Sequence, residues 1–449
     1  MTRRLLLAPI VCAILLALAL PGGGIAQEAT PAARECVPNE RDGTCLPIAP
    51  EGDRVDRATP VFSNPGTIDN PLFPISALES ALLMGTVDDL PFRVEVTLLP
   101  DTKPIEWNGQ TVDTLVSQYT AYLDGRIMEV ARDWYAQADD GSVWYFGEDV
   151  FNYEDGVVVD THGTWIAGAD RPAGMIMPAD PRVGDVYRPE NLPGAVFEEV
   201  TVTATAVTVD GPLGPIDNAI VVTELHDDGT LEDKTFAPGY GEFLTDSDGD
   251  VEALALAVPH DALAAPVPGE LEALAAGAAE IGAAADSGAW EDAAGILATM
   301  NAAWTTYGAT QIPPWLDAQM NDAIAGLGEG IDAVDADGTR QAALDVRQAA
   351  LDLELRYLPV PQVDVARFDL WTQQIAADAM AGDEPALAGD VATIEWVWDR
   401  IAHTLDTSTA GEIEERLTAL RVAIDAGNLA AATAAAADLH TLVAQIEPH

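Results

Sequence analysis

The sequence predicts an α+β chain of several domains, with an antiparallel curved β-sheet or half-barrel followed by an all-α bundle of helical hairpins. Three observations carry that expectation. Over residues 91–259 the hydrophobic period is two and acid–glycine pairs interrupt it; beyond residue 269 the period is helical and alanine-rich; residues 259–269, with Pro266 and Pro268, separate the two patterns. Two domains that fold independently are therefore expected on either side of that linker.

The chain opens with Thr2-Arg3-Arg4, an uncharged apolar run over residues 5–20, and Gly24-Ile25-Ala26, the small residues that a signal peptidase reads. Residues 1–26 are thus expected to direct export and to be removed after Ala26, leaving a secreted or extracytoplasmic protein; a retained anchor is the alternative. Cleavage also takes Cys12, so the remaining Cys36 and Cys45 are expected to form one disulfide. Residues 27–85, with prolines among acidic and small residues, read as a Pro-rich acidic tail with little core of its own, so the bridge should act only locally. Within it, residues 70–85 are expected to be a docking helix or a loose segment.

Residues 86–259 carry the strand signal. Phe92, Val94, Val96 and Leu98 alternate, and Asp124-Gly125, Asp140-Gly141, Asp155-Gly156, Asp228-Gly229 and Asp248-Gly249 are hairpin turns, so that roughly ten strands in meander order are expected. The stretch 144–188 is the exception, because after two strands it turns rich in Gly, Pro and Met and must loop. Trp144, Trp165, Met175 and Met177 are the candidate ligand-binding residues there, with core packing as the competing reading. Asp246, Asp248, Asp250 and Glu252 have the spacing of a calcium loop, but Val251 and Ala257 stand where that loop needs Gly and Glu, which leaves a hairpin tip. Asp160 and His162 have no nucleophile beside them and read as a polar rim.

Several motifs of this region, Trp165-Ile166-Ala167-Gly168, Met177-Pro178-Ala179, Val183-Gly184-Asp185-Val186-Tyr187-Arg188 and Ala237-Pro238-Gly239-Tyr240-Gly241, resemble those of a β-rich domain of unknown function found in exported bacterial proteins. The resemblance implies an extracytoplasmic compartment and a sheet curved like those of periplasmic lipoprotein carriers, and it implies no activity.

After a linker at 260–268, residues 269–449 are expected to form four helical hairpins, eight helices in all. The turns fall at Ser287-Gly288, Gly338, Gly382-Asp383 and Gly427-Asn428, roughly 45–50 residues apart, the period of a helical repeat. Leu387, Val391, Ile394, Trp398 and Ile401 mark one core seam. With the glycines in register, Asn301, Glu395 and His440 share a column and Asp352 joins it after a one-residue shift. These are candidate ligands for a divalent metal, or polar residues flanking a seam.

Charge excludes two partners. With 21 basic against 74 acidic residues and a formal charge of −53, the chain repels nucleic acid and anionic membrane surfaces. No phosphate loop, paired-cysteine zinc site or nucleophile elbow occurs. The expectation is a non-enzymatic binding or scaffold protein with no cofactor unless a divalent metal enters the bundle. An apolar small molecule in the β domain, or an extracytoplasmic protein, is the partner class to test.

Overall fold

A computed structural model describes residues 35–169, 171–308 and 310–446; the expected export signal and its cleavage site lie outside them. The α+β order is as the periods predict. A first meander runs through β1 (Ser80–Val87), β2 (Leu90–Trp107), β3 (Gln110–Leu123), β4 (Arg126–Gln137), β5 (Val143–Glu154) and β6 (Val157–Asp160). The chain then crosses by two short strands paired to β5, β7 (Trp165–Ile166) and β8 (Gly174–Met177). It returns through β9 (Val186–Leu192), β10 (Val196–Gly211), β11 (Gly214–His226), β12 (Leu231–Ala237), β13 (Gly241–Ser247) and β14 (Asp250–Val258). β14 pairs with β1, which joins both meanders into one 14-stranded sheet of order β6-β5-β4-β3-β2-β1-β14-β13-β12-β11-β10-β9. At the expected turns Asp124, Asp155 and Asp248 take φ of 49°, 51° and 50°, each followed by a glycine with positive φ, as tight hairpins require.

The two ends of the sheet meet. Trp165 on β7 donates its indole N–H to Glu190 on β9 at 2.7 Å, and a Cβ on Gly174 would lie 1.7 Å from the Pro189 carbonyl oxygen, so only glycine lets β8 approach β9. The region read as a loop is therefore the seam of a sheet curled on itself.

Two expectations for the N-terminal part are corrected. Residues 80–85 are neither docking helix nor loose segment but β1, at the centre of the sheet. Its apolar run does not alternate because both faces are covered: Ala81 and Leu83 enter one cluster, Leu82 and Met84 another. The segment before it is also not a coreless tail. Val37, Leu46 and Ile48 bury themselves against Phe197 and Leu225, and Ile68 and Leu72 join the core of the sheet. The Cys36–Cys45 disulfide, which is formed, thus fastens a packed segment. Single apolar residues between prolines carry no period, yet each fills a gap left by the sheet.

Eight α-helices follow among the described residues: α1 (Gly269–Ser287), α2 (Trp290–Tyr307), α3 (Pro314–Ala333), α4 (Ala336–Glu354), α5 (Val360–Ala381), α6 (Glu384–Ile401), α7 (Thr407–Asp425) and α8 (Leu429–Val443). They pair as the expected hairpins, with one turn displaced. Gly288, Gly382 and Gly427 take left-handed φ, but the corresponding residue of the second hairpin is Val334 at φ 57°, and Gly338 lies inside α4 beyond its Asp335 cap.

The helices cover the outer face of the sheet. Leu82, Met84, Leu256 and Val258 share a core with α1 to α5, and a Cβ on Gly156, in the β5–β6 turn, would lie 2.2 Å from the Gly389 nitrogen of α6. An ion network crosses the same interface. Arg93 of β2 holds both oxygens of Asp352 of α4, at 2.6 and 2.7 Å, and Arg367 of α5 reaches Asp352 at 2.8 Å and Asp364 at 3.0 Å. Arg400 of α6 donates to Glu95 and Gln118 at 2.5 Å and to Thr120 at 3.0 Å. Three guanidinium groups are set against the three carboxylates of Glu95, Asp352 and Asp364, and of the six only Arg93 is not fully buried. Core and network together make one compact unit of the chain from Cys36 onward.

Candidate functional site inside the sheet

Alternation along a strand sends successive side chains to opposite faces. On β3, Gln118 and Thr120 point outward to Arg400, so Ser117 and Tyr119 point inward. The register carries that inner face around the sheet: Ser117 stands opposite Asp133, Asp133 opposite Glu148, Glu190 opposite Glu198, Glu198 opposite His226, Glu224 opposite Glu232, and Lys234 opposite Thr245, which stands opposite Glu252. Adjacent strands lie about 4.8 Å apart, so β4 and β13, five steps apart in a flat sheet, would be separated by about 24 Å. Glu242 of β13 nevertheless acts electrostatically on Asp133 of β4, and Glu129 of β4 on Glu252 of β14. The curl of the sheet brings these carboxylates face to face across an interior.

That interior is acidic and largely uncompensated. Burial first, and the neighbouring Glu129 and Glu242 charges, push Asp133 up to about 7, against the Tyr145 hydroxyl that donates to it at 2.7 Å. Burial also raises Glu148 well above the carboxylate range, and Glu190 to about 8. These two share a hydrogen bond across the seam, which needs one proton between them. Glu252 is pushed to about 8, by burial and then by Glu242. Glu129, Glu148, Glu190 and Glu252 are half-buried and retain contact with water.

Positive charge is confined to one side. The Lys234 ammonium lies 3.0 Å from Glu224, 3.6 Å from Glu232 and 3.9 Å from Glu242. His226 sits between Glu198, 3.4 Å from Nδ1, and Glu232, 3.6 Å from Nε2, and hydrogen bonds to both raise it to about 10. Glu224, 3 % exposed, is raised to about 7 by burial despite Lys234. Tyr187 stands one strand beyond Val200, itself opposite Glu224; it is 1 % exposed and its hydroxyl has no hydrogen-bond partner. Below the acids, Phe73 packs edge-on to Tyr135, Tyr135 stacks on Tyr145, and Tyr145 meets Trp165 edge-on, an aromatic floor.

The candidates of the loop region occupy other roles. Trp144, Trp165, Met175 and Met177 are all buried in the core of the sheet, Trp144 opposite Met175 and donating to Ser142 at 2.8 Å. Trp165 alone of the four borders the interior, through Glu190. Asp160 accepts from the His162 backbone and Asn152, an exposed turn.

The bundle candidates are not brought together. Asn301 donates to the Leu297 carbonyl, Asp352 belongs to the ion network, Glu395 pairs with Arg421 at 2.6 Å, and His440 pairs with Asp369 at 2.5 Å. The left-handed residues give the correct register: the offset from Gly288 to Asn301, Gly382 to Glu395 and Gly427 to His440 leads from Val334 to Arg347, a cation that also pairs with Asp369. Among the described residues the one group of His, Cys, Asp or Glu spaced for a metal is Glu198, Glu224 and His226, whose donor atoms lie within 4.8 Å of one another.

A cleft of about 410 Å³ between β4 to β6 and α6 is lined by Phe151, Tyr153 and Trp396. Its charges neutralise each other, Arg132 with Asp399 and Arg421 with Glu395. Among the described residues no helix is long and apolar enough to cross a membrane. No protein-family model matches the chain, and no curated protein matches it.

Proposed function

We propose that this is an exported, non-enzymatic binding protein that takes a small cation into the interior of its curled sheet. One observation carries the reading: the inner face sets Glu129, Asp133, Glu148, Glu190 and Glu252 together with no cation hydrogen-bonded or salt-bridged to any of them among the described residues. Burying like charges together is costly, and the cost is relieved by protons or by a cation that enters and displaces them. The ionisable walls favour such a ligand over the apolar cargo that the carrier resemblance implies. A disulfide in the first packed segment supports an oxidising compartment, and the resemblance to domains of exported proteins supports the same location.

The test is calorimetry on the dialysed protein with spermidine, tetramethylammonium, calcium and zinc, against palmitate as the apolar comparison. Saturable binding of at least one cation, weakened by lowering the pH from 8 to 5, is expected, because protons then reoccupy the carboxylates. Binding of palmitate alone, or cation binding indifferent to pH, would overturn the proposal.

A further inference from the structure

We infer that the side of the interior formed by β10 to β12 is a site for a divalent transition metal, held by Glu198, Glu224 and His226 with the Tyr187 hydroxyl completing the donor set. The inference rests on the cation-binding reading above and names the ligand for one side of that interior. Two observations carry it independently of the acidity of the interior. First, two carboxylates and an imidazole from neighbouring strands have donor atoms within 4.8 Å of one another, from where small side-chain rotations bring them to the roughly 2 Å bonds of one ion. Second, the Tyr187 hydroxyl, on a side chain 1 % exposed and in the row of Val200 and Glu224, is left without any hydrogen-bond partner. A buried hydroxyl in that state costs free energy unless something fills the space before it, and an ion with its bound water does so.

The donor set indicates the class of ion. One imidazole with carboxylate and phenol oxygens suits zinc, manganese or iron(II), whereas magnesium and calcium take oxygen alone. Rigidity supports a defined geometry. Glu198, Glu224 and His226 stand on adjacent antiparallel strands, with Tyr187 on the next strand beyond a bulge, and Lys234, 3.0 Å from Glu224, and Glu232, 3.6 Å from the His226 ring, orient the carboxylate and the imidazole from behind. The metal takes the place of the proton that Glu198 and Glu232 hold on the His226 imidazole, and that proton leaves to solvent as the ring nitrogen becomes a ligand.

The experiment is competition for Zn²⁺ between the purified protein and a chromogenic chelator, repeated with His226→Gln, Tyr187→Phe and His440→Ala, each checked for its circular dichroism and melting temperature. One zinc per chain is expected, with affinity at least tenfold lower in His226→Gln, lower in Tyr187→Phe, and unchanged in His440→Ala, whose imidazole is paired on the surface of the bundle. Equal affinity in His226→Gln, or loss in His440→Ala, overturns the site. If His226→Gln does not fold, X-ray absorption on the wild-type zinc complex decides instead: one imidazole among oxygen ligands is expected, and two or more imidazoles overturn it. Silence toward zinc while spermidine or tetramethylammonium still binds removes the metal site and leaves the cation-binding reading intact; silence toward every cation removes both.

Discussion

Asp352 is the position where one substitution tests most of the architecture. Its carboxylate is fully buried and accepts from Arg93 at 2.6 and 2.7 Å, from Arg367 at 2.8 Å, and from Gln319 and Gln348 at 3.0 Å. Burial works to raise it, but the Arg93 and Arg367 charges hold it below the ordinary carboxylate range. Asp352→Ala leaves the buried Arg367 and Arg400 and the largely buried Arg93 facing two carboxylates, and removing one partner of a buried pair costs about 3–5 kcal/mol. Arg93→Met combined with Asp352→Leu restores two cations against two anions and is expected to recover at least half of that loss, since apolar replacement of a complete pair is often neutral. The assay is urea unfolding followed by helix dichroism and by tryptophan fluorescence, whose ten indoles lie four on strands and six on helices and so report on both layers. Both signals are expected to move together, because the network and the core of Leu82, Met84, Leu256 and Val258 belong to both layers. A loss below about 1 kcal/mol for Asp352→Ala, or two separated transitions in the wild type, would refute the coupling.

Stability is expected to peak at mildly acidic pH. Carboxyls raised in the folded state, Asp133 and Glu224 to about 7 and Glu190 and Glu252 to about 8, make the folded chain bind more protons than the unfolded one above pH 4.5, so stability falls as pH rises through that window. His226, raised to about 10, adds stability that is complete below its ordinary 6.5 and is lost as pH rises toward 10. Glu95 and Asp352, both lowered, act oppositely: their contribution is present above the ordinary carboxylate range and is lost below it. Melting temperatures at constant ionic strength should therefore decline from pH 5 to pH 9, and a rise over that range would contradict the acidic interior. Expressing residues 269–446 alone should give a chain of reduced helicity without a cooperative melt, since Asp352, Arg367 and Arg400 lose Arg93 and Glu95; a cooperative melt would restore the independent folding expected from the linker.

What the sequence made legible followed from period and turn chemistry. The change from a period of two to a helical one located both layers, and aspartate–glycine pairs located hairpins because few other residues take consecutive left-handed conformations. The interior escaped notice for a physical reason. Glu224 and His226 flank Leu225 as the solvent face of any antiparallel strand does, Glu232-Asp233-Lys234 is polar at every position, and nothing local says whether such a face looks outward or across a curled sheet. The available signal was indirect: eight amphipathic helices need an apolar surface to cover, and covering the outer face turns the polar face inward. In the bundle, Val334 adopts the left-handed turn that a glycine was expected to hold, which removes Asp352 from the column; Asn301, Glu395 and His440 keep their register but each takes a partner of its own.

The division of labour between the faces explains why an ionisable interior is compatible with a stable fold. A closed sheet usually buries apolar side chains inside and relies on them for its stability. Here much of that burden lies outside, where Leu82, Met84, Leu256 and Val258 pack under the helices, and at the lower end, where Phe73, Tyr135, Tyr145 and Trp165 close the floor. The inner wall above that floor is mixed: Ala81, Leu83, Phe92, Val94 and Ala121 pack together on it, and carboxylates occupy positions that a wholly apolar core would exclude. The buried network of Arg93, Arg367 and Arg400 then has a second consequence. It locks the helical layer to the face opposite the acids, so a change of charge inside the sheet acts on strands whose outer side is held fast. Gain or loss of a cation should accordingly alter protonation and side-chain order within the interior while leaving the curvature of β2 and β3 unchanged.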